Sequence, residues 1–126
     1  MLSILKIGTN QNISISHTKS CSVVCTSKKF KVGIDIEGIN RKLTNKLKNR
    51  LIKNNQLQID PIVMWTMMES AFKCLDGKGE HFLNYNFSEH EDGFILEKNS
   101  KKVRVVNEEF NKHSISVSFI DSNLNC

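Results

Sequence analysis

The chain is poor in residues that break or stiffen a backbone: 126 residues contain one proline, Pro61, and six glycines. That scarcity excludes a collagen-like or linker-dominated architecture. No apolar run approaches the roughly 20 residues that a membrane-spanning helix needs. The start, Met1-Leu2-Ser3-Ile4-Leu5-Lys6, meets a charge too early to read as a secretory signal, so a cytoplasmic protein is expected. Aromatics are few, seven Phe with one Trp and one Tyr, and none falls among the bases of residues 41–53. Nucleic-acid recognition by base stacking therefore has no support. The four cysteines, Cys21, Cys25, Cys74 and Cys126, lack the paired spacing of a zinc site and read as reduced thiols.

What remains is ordinary globular material. Hydrophobic residues make up 39% and charged residues 25%, with 18 bases against 13 acids and a net charge of +5. This composition predicts one α+β domain over residues 1–120 and a polar tail over 121–126. Leu2 to Ile7 alternates weakly, while Ile13-Ser14-Ile15-Ser16 alternates strictly, the period-two sign of a half-buried strand. Ser22 to Thr26 is short and β-branched, a hairpin partner for it. In Lys31-Val32-Gly33-Ile34-Asp35-Ile36-Glu37, the aliphatic residues face one way and Gly33, Asp35 and Glu37 the other. Leu43, Leu47 and Leu51 recur every four residues, predicting a helix over 39–53. Six bases and no acid surround that stripe. Asp60-Pro61 is an N-cap followed by a first-turn proline, opening a buried helix over 62–75 that Asp76-Gly77-Lys78-Gly79 ends. Strands are expected at Gly93–Glu97, Lys102–Val106 and Ser114–Phe119. His81 and His90 sit among glutamates as a surface loop, and His113 reads as solvated.

Three polar elements stand out. Ser16-His17 ends a strand, with Thr18 and Lys19 after it. Asp35 and Glu37 share one strand face about 7 Å apart, where like charges repel unless a cation or a proton intervenes. Glu69 and Lys73 lie one turn apart on an otherwise apolar helix. An i,i+4 salt bridge between them is one reading. The other turns Glu69 toward Asp35 and Glu37, making an oxygen-rich site suited to Mg²⁺ and hence to a phosphate substrate. His17, Lys19 and Lys73 would then hold phosphate oxygens.

Ile15-Ser16-His17-Thr18, Val32-Gly33-Ile34-Asp35-Ile36-Glu37 and Trp65-Thr66-Met67-Met68-Glu69-Ser70-Ala71-Phe72-Lys73 resemble, in order, three motifs of the 4′-phosphopantetheinyl transferase superfamily. The resemblance covers roughly residues 12 to 80. It implies that fold, an antiparallel sheet packed against a long buried helix. It also implies Mg²⁺-dependent transfer of phosphopantetheine from coenzyme A to a serine of an acyl or peptidyl carrier protein, releasing 3′,5′-ADP. Carried over by position, Asp35, Glu37 and Glu69 would hold Mg²⁺. Glu69 and Lys73 would be catalytic, with Glu69 orienting or deprotonating the serine. Lys73, His17 and Ser16 would contact coenzyme A.

The chain departs from the pattern where the family has lysine before the helix glutamate, since Met68 stands there. The glycines after Lys73 are shifted to Gly77 and Gly79. A noncatalytic coenzyme A- or carrier-binding homologue is the alternative these departures raise. The basic stretch from Arg41 to Lys53 reads either as a solvated helix face or, through Arg41, Lys42, Lys46 and Arg50, as a dock for an acidic carrier protein, a contact sensitive to salt. The length matches the family's short class but the motif order matches the second half of its long class. The expected assembly is therefore a homo-oligomer, dimer or trimer, in which a second copy completes the coenzyme A cleft.

Overall fold

The structure, a computed structural model, describes residues 12–53, 57–75 and 85–121. The strand expected at Leu2–Ile7, the Asp76–Gly79 turn, His81, Cys126 and all but Asp121 of the tail lie outside the described residues. Within them, β1 (Asn12–His17) and β2 (Ser22–Ser27) form an antiparallel hairpin. β3 (Val32–Gly38) follows, then two helices, α1 (Asn45–Lys53) and α2 (Pro61–Cys74). β4 (Asn86–His90), β5 (Gly93–Lys98), β6 (Lys101–Phe110) and β7 (His113–Phe119) complete a five-stranded antiparallel sheet of order β3-β7-β6-β5-β4. The class is α+β, and no helix among the described residues is long and apolar enough to cross a membrane.

Local chemistry explains most boundaries. Asp60 caps α2 by accepting the Ile62 N–H on its Oδ1 at 3.1 Å, with Pro61 in the first turn. α1 begins six residues later than its leucine stripe predicts. The reason is Thr44, whose Oγ1 accepts the Leu47 N–H at 3.2 Å and acts as the N-cap. Ile39 is held instead by a backbone bond to the Lys112 carbonyl at 3.0 Å. The β5–β6 and β6–β7 hairpins turn through Asn99-Ser100 and Asn111-Lys112, all four residues with φ between 50° and 67°. Paired left-handed residues match the twist of the strands they join.

The core lies between α2 and the sheet. Met64, Met67, Met68, Ala71 and Cys74 of α2 pack with Leu96, Val103 and Val105, while Leu43 and Leu51 fasten α1 onto the same cluster. β7 departs from the usual sense of alternation. Ser114, Ser116 and Ser118 are 1%, 0% and 0% exposed, whereas Ile115, Val117 and Phe119 on the opposite face are only half-buried. β1 does the same, burying Ser14 and Ser16 and leaving Ile13 and Ile15 half-buried.

In β7 the buried hydroxyls meet those of α2. Ser70 Oγ lies 2.6 Å from Ser118 Oγ, and Thr66 Oγ1 lies 2.8 Å from Ser114 Oγ. Asn107 of β6 donates its amide N–H groups to Ser114 at 2.9 Å and Ser116 at 2.8 Å. Small side chains let the helix sit close to the sheet, and pairing removes the cost of burying them. Gly33 belongs to this seam: a Cβ there would lie 2.1 Å from the Ser70 carbonyl oxygen and 2.5 Å from the Cys74 nitrogen.

In β1 the serines serve an open edge. β3 is the last strand of its sheet, and its outward N–H groups need acceptors. Ile34 N–H donates to Ser14 Oγ at 2.9 Å and Ile36 N–H to Ser16 Oγ at 3.2 Å. Hydroxyls of β1 thus stand where carbonyls of a paired strand would.

Candidate functional site

Register determines which side chains can meet. Gly33, Asp35 and Glu37 lie opposite Ser118, Ser116 and Ser114, so the two acids share the sheet face that carries α2. Glu69 projects from α2, and Ser16-His17 ends β1 beside β3. The three elements read from the sequence are therefore neighbours in space.

Asp35 is the most constrained of these groups. It is 5% exposed, and its Oδ1 accepts from Ser16 Oγ at 3.2 Å and from Lys73 Nζ at 3.4 Å. Its Oδ2 is buried without a hydrogen-bond partner among the described residues. Burial pushes its pKa up to about 7; Lys73 opposes the rise, while Glu37 and Glu69 add to it. Glu69 is raised as well, first by burial, with Lys73 lowering it, Glu37 raising it and Arg41 lowering it. The three carboxylates thus feel one another, and Lys73 and Arg41 are the cations that balance them.

Glu37 is engaged differently. It forms an i,i+4 ion pair with Arg41, whose guanidinium also stacks over Trp65 at 5.8 Å from the ring centroid. Arg41 is thereby tied to the acidic site. Lys42, Lys46 and Arg50 are exposed, the last two on the solvent side of α1.

Lys73 extends away from its helix neighbour. Its ammonium donates to the Ile34 carbonyl at 3.0 Å, the Ile15 carbonyl at 3.5 Å and Asp35 Oδ1. Lys73 pairs with Asp35 rather than with Glu69, and Glu69 enters no hydrogen bond or ion pair with a described residue. An ammonium has three donors, and here all three serve to join β1, β3 and α2. Phosphate contact by Lys73 requires it to leave at least one of these partners.

Ser16 is buried and its hydroxyl is occupied by Ile36 and Asp35. His17 and Lys19 are exposed at the end of the hairpin. His113 is buried at 8% exposure rather than solvated. Its Nδ1 lies 2.7 Å from the Asn111 carbonyl oxygen and its Nε2 3.1 Å from Thr18 Oγ1. It fastens the β1–β2 turn to β7, a long-range contact with no signal in its own sequence neighbourhood. The hydroxyl row of β7 beside Asp35 and Glu37 also escapes sequence reading, because alternation does not say which face is inside. Met68, where the resembled motif has lysine, is 1% exposed and part of the core.

Among the described residues, no group of three His, Cys, Asp or Glu side chains is arranged as a ready metal cluster. The donor types nonetheless fit a hard cation: Asp35 Oδ2 lacks a partner and the Glu69 carboxylate is unengaged. Glu37 would have to exchange Arg41 for it. The chain matches no protein-family model and no curated protein. The resemblance noted above therefore stands on the motif residues alone.

Proposed function

We propose that the protein transfers 4′-phosphopantetheine from coenzyme A to a serine of an acyl or peptidyl carrier protein, with Mg²⁺ as cofactor. The observation that carries the reading is the meeting of Asp35 and Glu37 on β3 with Glu69 on α2. Carboxylates whose protons are held by burial and mutual repulsion are a common setting for cation binding and proton transfer. Asp35, Glu69 and, on exchange of Arg41, Glu37 are the residues to hold Mg²⁺. When bound, the ion neutralises anionic oxygens around the attacked phosphorus.

The carrier serine oxygen forms the new bond to the pantetheine-side phosphorus, and the pyrophosphate P–O bond breaks. The leaving 3′,5′-ADP takes the electron pair. Glu69, its carboxyl raised first by burial and without a hydrogen bond or ion pair to a described residue, accepts the serine proton. His17, exposed at its strand end, would be the residue to meet a coenzyme A phosphate. Asp35 holds Lys73 and Ser16 against β3, which keeps the wall of the site closed.

A second reading has its own support. With all three Lys73 donors occupied and Met68 in the core, a homologue that binds coenzyme A or a carrier without turnover fits as well. Incubation with coenzyme A, Mg²⁺ and a panel of apo carrier proteins separates the two. The transferase reading expects the carrier to gain the mass of one phosphopantetheine, and Glu69→Gln to remove that product. Coenzyme A binding by calorimetry with no product on any carrier supports the binding module. Full activity in Glu69→Gln defeats the mechanism.

A further inference from the structure

The two sheets end in four edge strands, and three of them are guarded. β1 and β3 face each other, joined by the Ser14 and Ser16 hydroxyls and the Lys73 ammonium. β4 carries Glu89 and His90 on the strand itself, and charge on an edge strand discourages further pairing. β2 has no such guard. It is the outer strand of its hairpin, its six residues Ser22–Ser27 include no charge and no proline, and Val24 is 62% exposed.

The hydrogen-bond phase of the hairpin fixes what this edge offers. Thr18 N–H donates to the Cys21 carbonyl at 2.7 Å. Counting back along the ladder, the bonded pairs are Ser16 with Val23, Ser14 with Cys25 and Asn12 with Ser27. The intervening residues of β2, Ser22, Val24 and Thr26, therefore turn their N–H and carbonyl groups away from β1. The same phase turns the Ile15 carbonyl of β1 outward, where Lys73 meets it. No described residue meets the outward groups of β2. Alternating donors and acceptors at strand spacing suit another extended backbone, whereas a phosphate backbone brings acceptors only.

Charge indicates what kind of backbone. No acid occurs in the sequence before Asp35, and both ends of β2 are basic. Lys19 stands in the turn before it, and Lys28 and Lys29 directly after it, all three exposed. No described acid pairs with them. Lys29 rests over the Phe30 ring at 5.3 Å, a contact that leaves its charge unneutralised. A second copy of the chain does not fit this edge, because antiparallel pairing of two β2 strands sets Lys19 of each against Lys28 and Lys29 of the other. The complementary segment is uncharged at its centre and acidic at its ends.

We infer that the outer edge of β2 docks an extended segment of a partner protein, β-branched at its centre and acidic at both ends, which joins the hairpin as a third strand. At about 3.4 Å per residue, the strand sets its basic ends roughly 20 Å apart, and that span fixes the spacing of the partner's acids. The inference stands on the hairpin and its charges and holds whether or not the transferase reading does.

Fluorescence anisotropy of the full chain with a labelled peptide, Glu-Glu-Thr-Val-Thr-Val-Thr-Glu-Glu, tests it. Saturable binding that weakens with added salt is expected. Val24→Pro removes an N–H that β1 does not use, so the hairpin keeps its ladder while the peptide should bind at least about tenfold more weakly. Circular dichroism and the melting curve establish that the variant is folded. Methylation of alternate peptide amides tests the same bonds without altering the protein: one set should abolish binding and the other leave it intact. Lys28→Glu with Lys29→Glu should weaken the peptide and favour one of the same centre ended by lysines. Absence of saturable binding overturns the proposal. So does binding indifferent to both Val24→Pro and amide methylation, or equal binding of polyglutamate or of a single-stranded oligonucleotide, since either leaves only a charged patch.

Discussion

Lys73 of α2 reaches past its own helix to Asp35 of β3, with Nζ 3.4 Å from Oδ1, and on the way binds the backbone carbonyls of Ile34 and Ile15. One ammonium therefore ties three elements together and supplies the nearest positive charge to a buried carboxylate. Its function is at least as much architectural as electrostatic. A lysine that the motif presents as a ligand for phosphate is, in this fold, the strap on the site's wall.

Lys73→Met keeps the stem and removes the charge. It takes the ammonium from the Ile34 and Ile15 carbonyls and leaves Asp35 with Ser16 as its donor and no balancing charge, so unfolding free energy should fall by about 2–4 kcal/mol. Chemical denaturation measures this. Asp35 should then take up its proton at higher pH still, since the lysine is the principal influence holding its pKa down. An unchanged stability would remove the strap from the account.

The pH dependence of stability has a definite sign. Asp35 stands at about 7 against an ordinary 3.8, and Glu69 is raised from 4.5. Between those values the folded state binds more protons than the unfolded one, so the contribution of these groups is complete below pH about 4 and is lost as pH rises through about 7. Asp35→Asn removes its share, and the difference between wild type and variant isolates it from other groups. The variant should show a flatter loss of stability across that range. A wild type that gains stability relative to Asp35→Asn as pH rises would reverse the argument.

Gly33→Ala places a methyl carbon 2.1 Å from the Ser70 carbonyl oxygen. Both atoms crowding it belong to the α2 backbone, so relief requires moving the helix off the sheet. Loss of about 2–3 kcal/mol is expected, together with looser pairing of Ser70 with Ser118. Hydrogen exchange at the Ser70 and Cys74 amides should accelerate. If the melting temperature holds, the close seam is not a constraint.

Met68→Lys installs the lysine of the resembled motif but not its surroundings. Met68 is 1% exposed in the core cluster, and an ammonium there lacks both water and a partner. The variant should lose about 3 kcal/mol or more, seen as a lower denaturation midpoint. A gain in transfer rate with full stability would mean that the position opens toward the substrate after all.

Much of this fold is legible in the residues. Asp60-Pro61 announces α2, and the alternation through Val32–Glu37 marks a strand with its acids on one face. β4 is not legible, because Asn-Phe-Ser-Glu-His has neither a β-branched run nor alternation; it is a strand because β5 offers it a register. The start of α1 is hidden for a different reason. Leu43 lies on the apolar stripe and in the core yet precedes the Thr44 cap, so the hydrophobic period extends beyond the helix. For the candidate site, the membership of Asp35, Glu37 and Glu69 is readable, and their partners are not. Arg41 on Glu37 could have been suspected from i,i+4 spacing. Lys73 reaching Asp35 rather than Glu69 could not.

The residues by themselves determine periods: two faces for each strand, a stripe for each helix, acids and apolar groups sorted between them. Only the tertiary structure decides which face is inside. In β1 and β7 it chose the serines, against the hydrophobic expectation. The physical reason is proximity and need. α2 approaches β3 and β7 too closely for large side chains, so hydroxyls that pair across the seam are the stable filling. The open edge of β3 requires acceptors, and Ser14 and Ser16 supply them. Neither requirement exists until the elements meet.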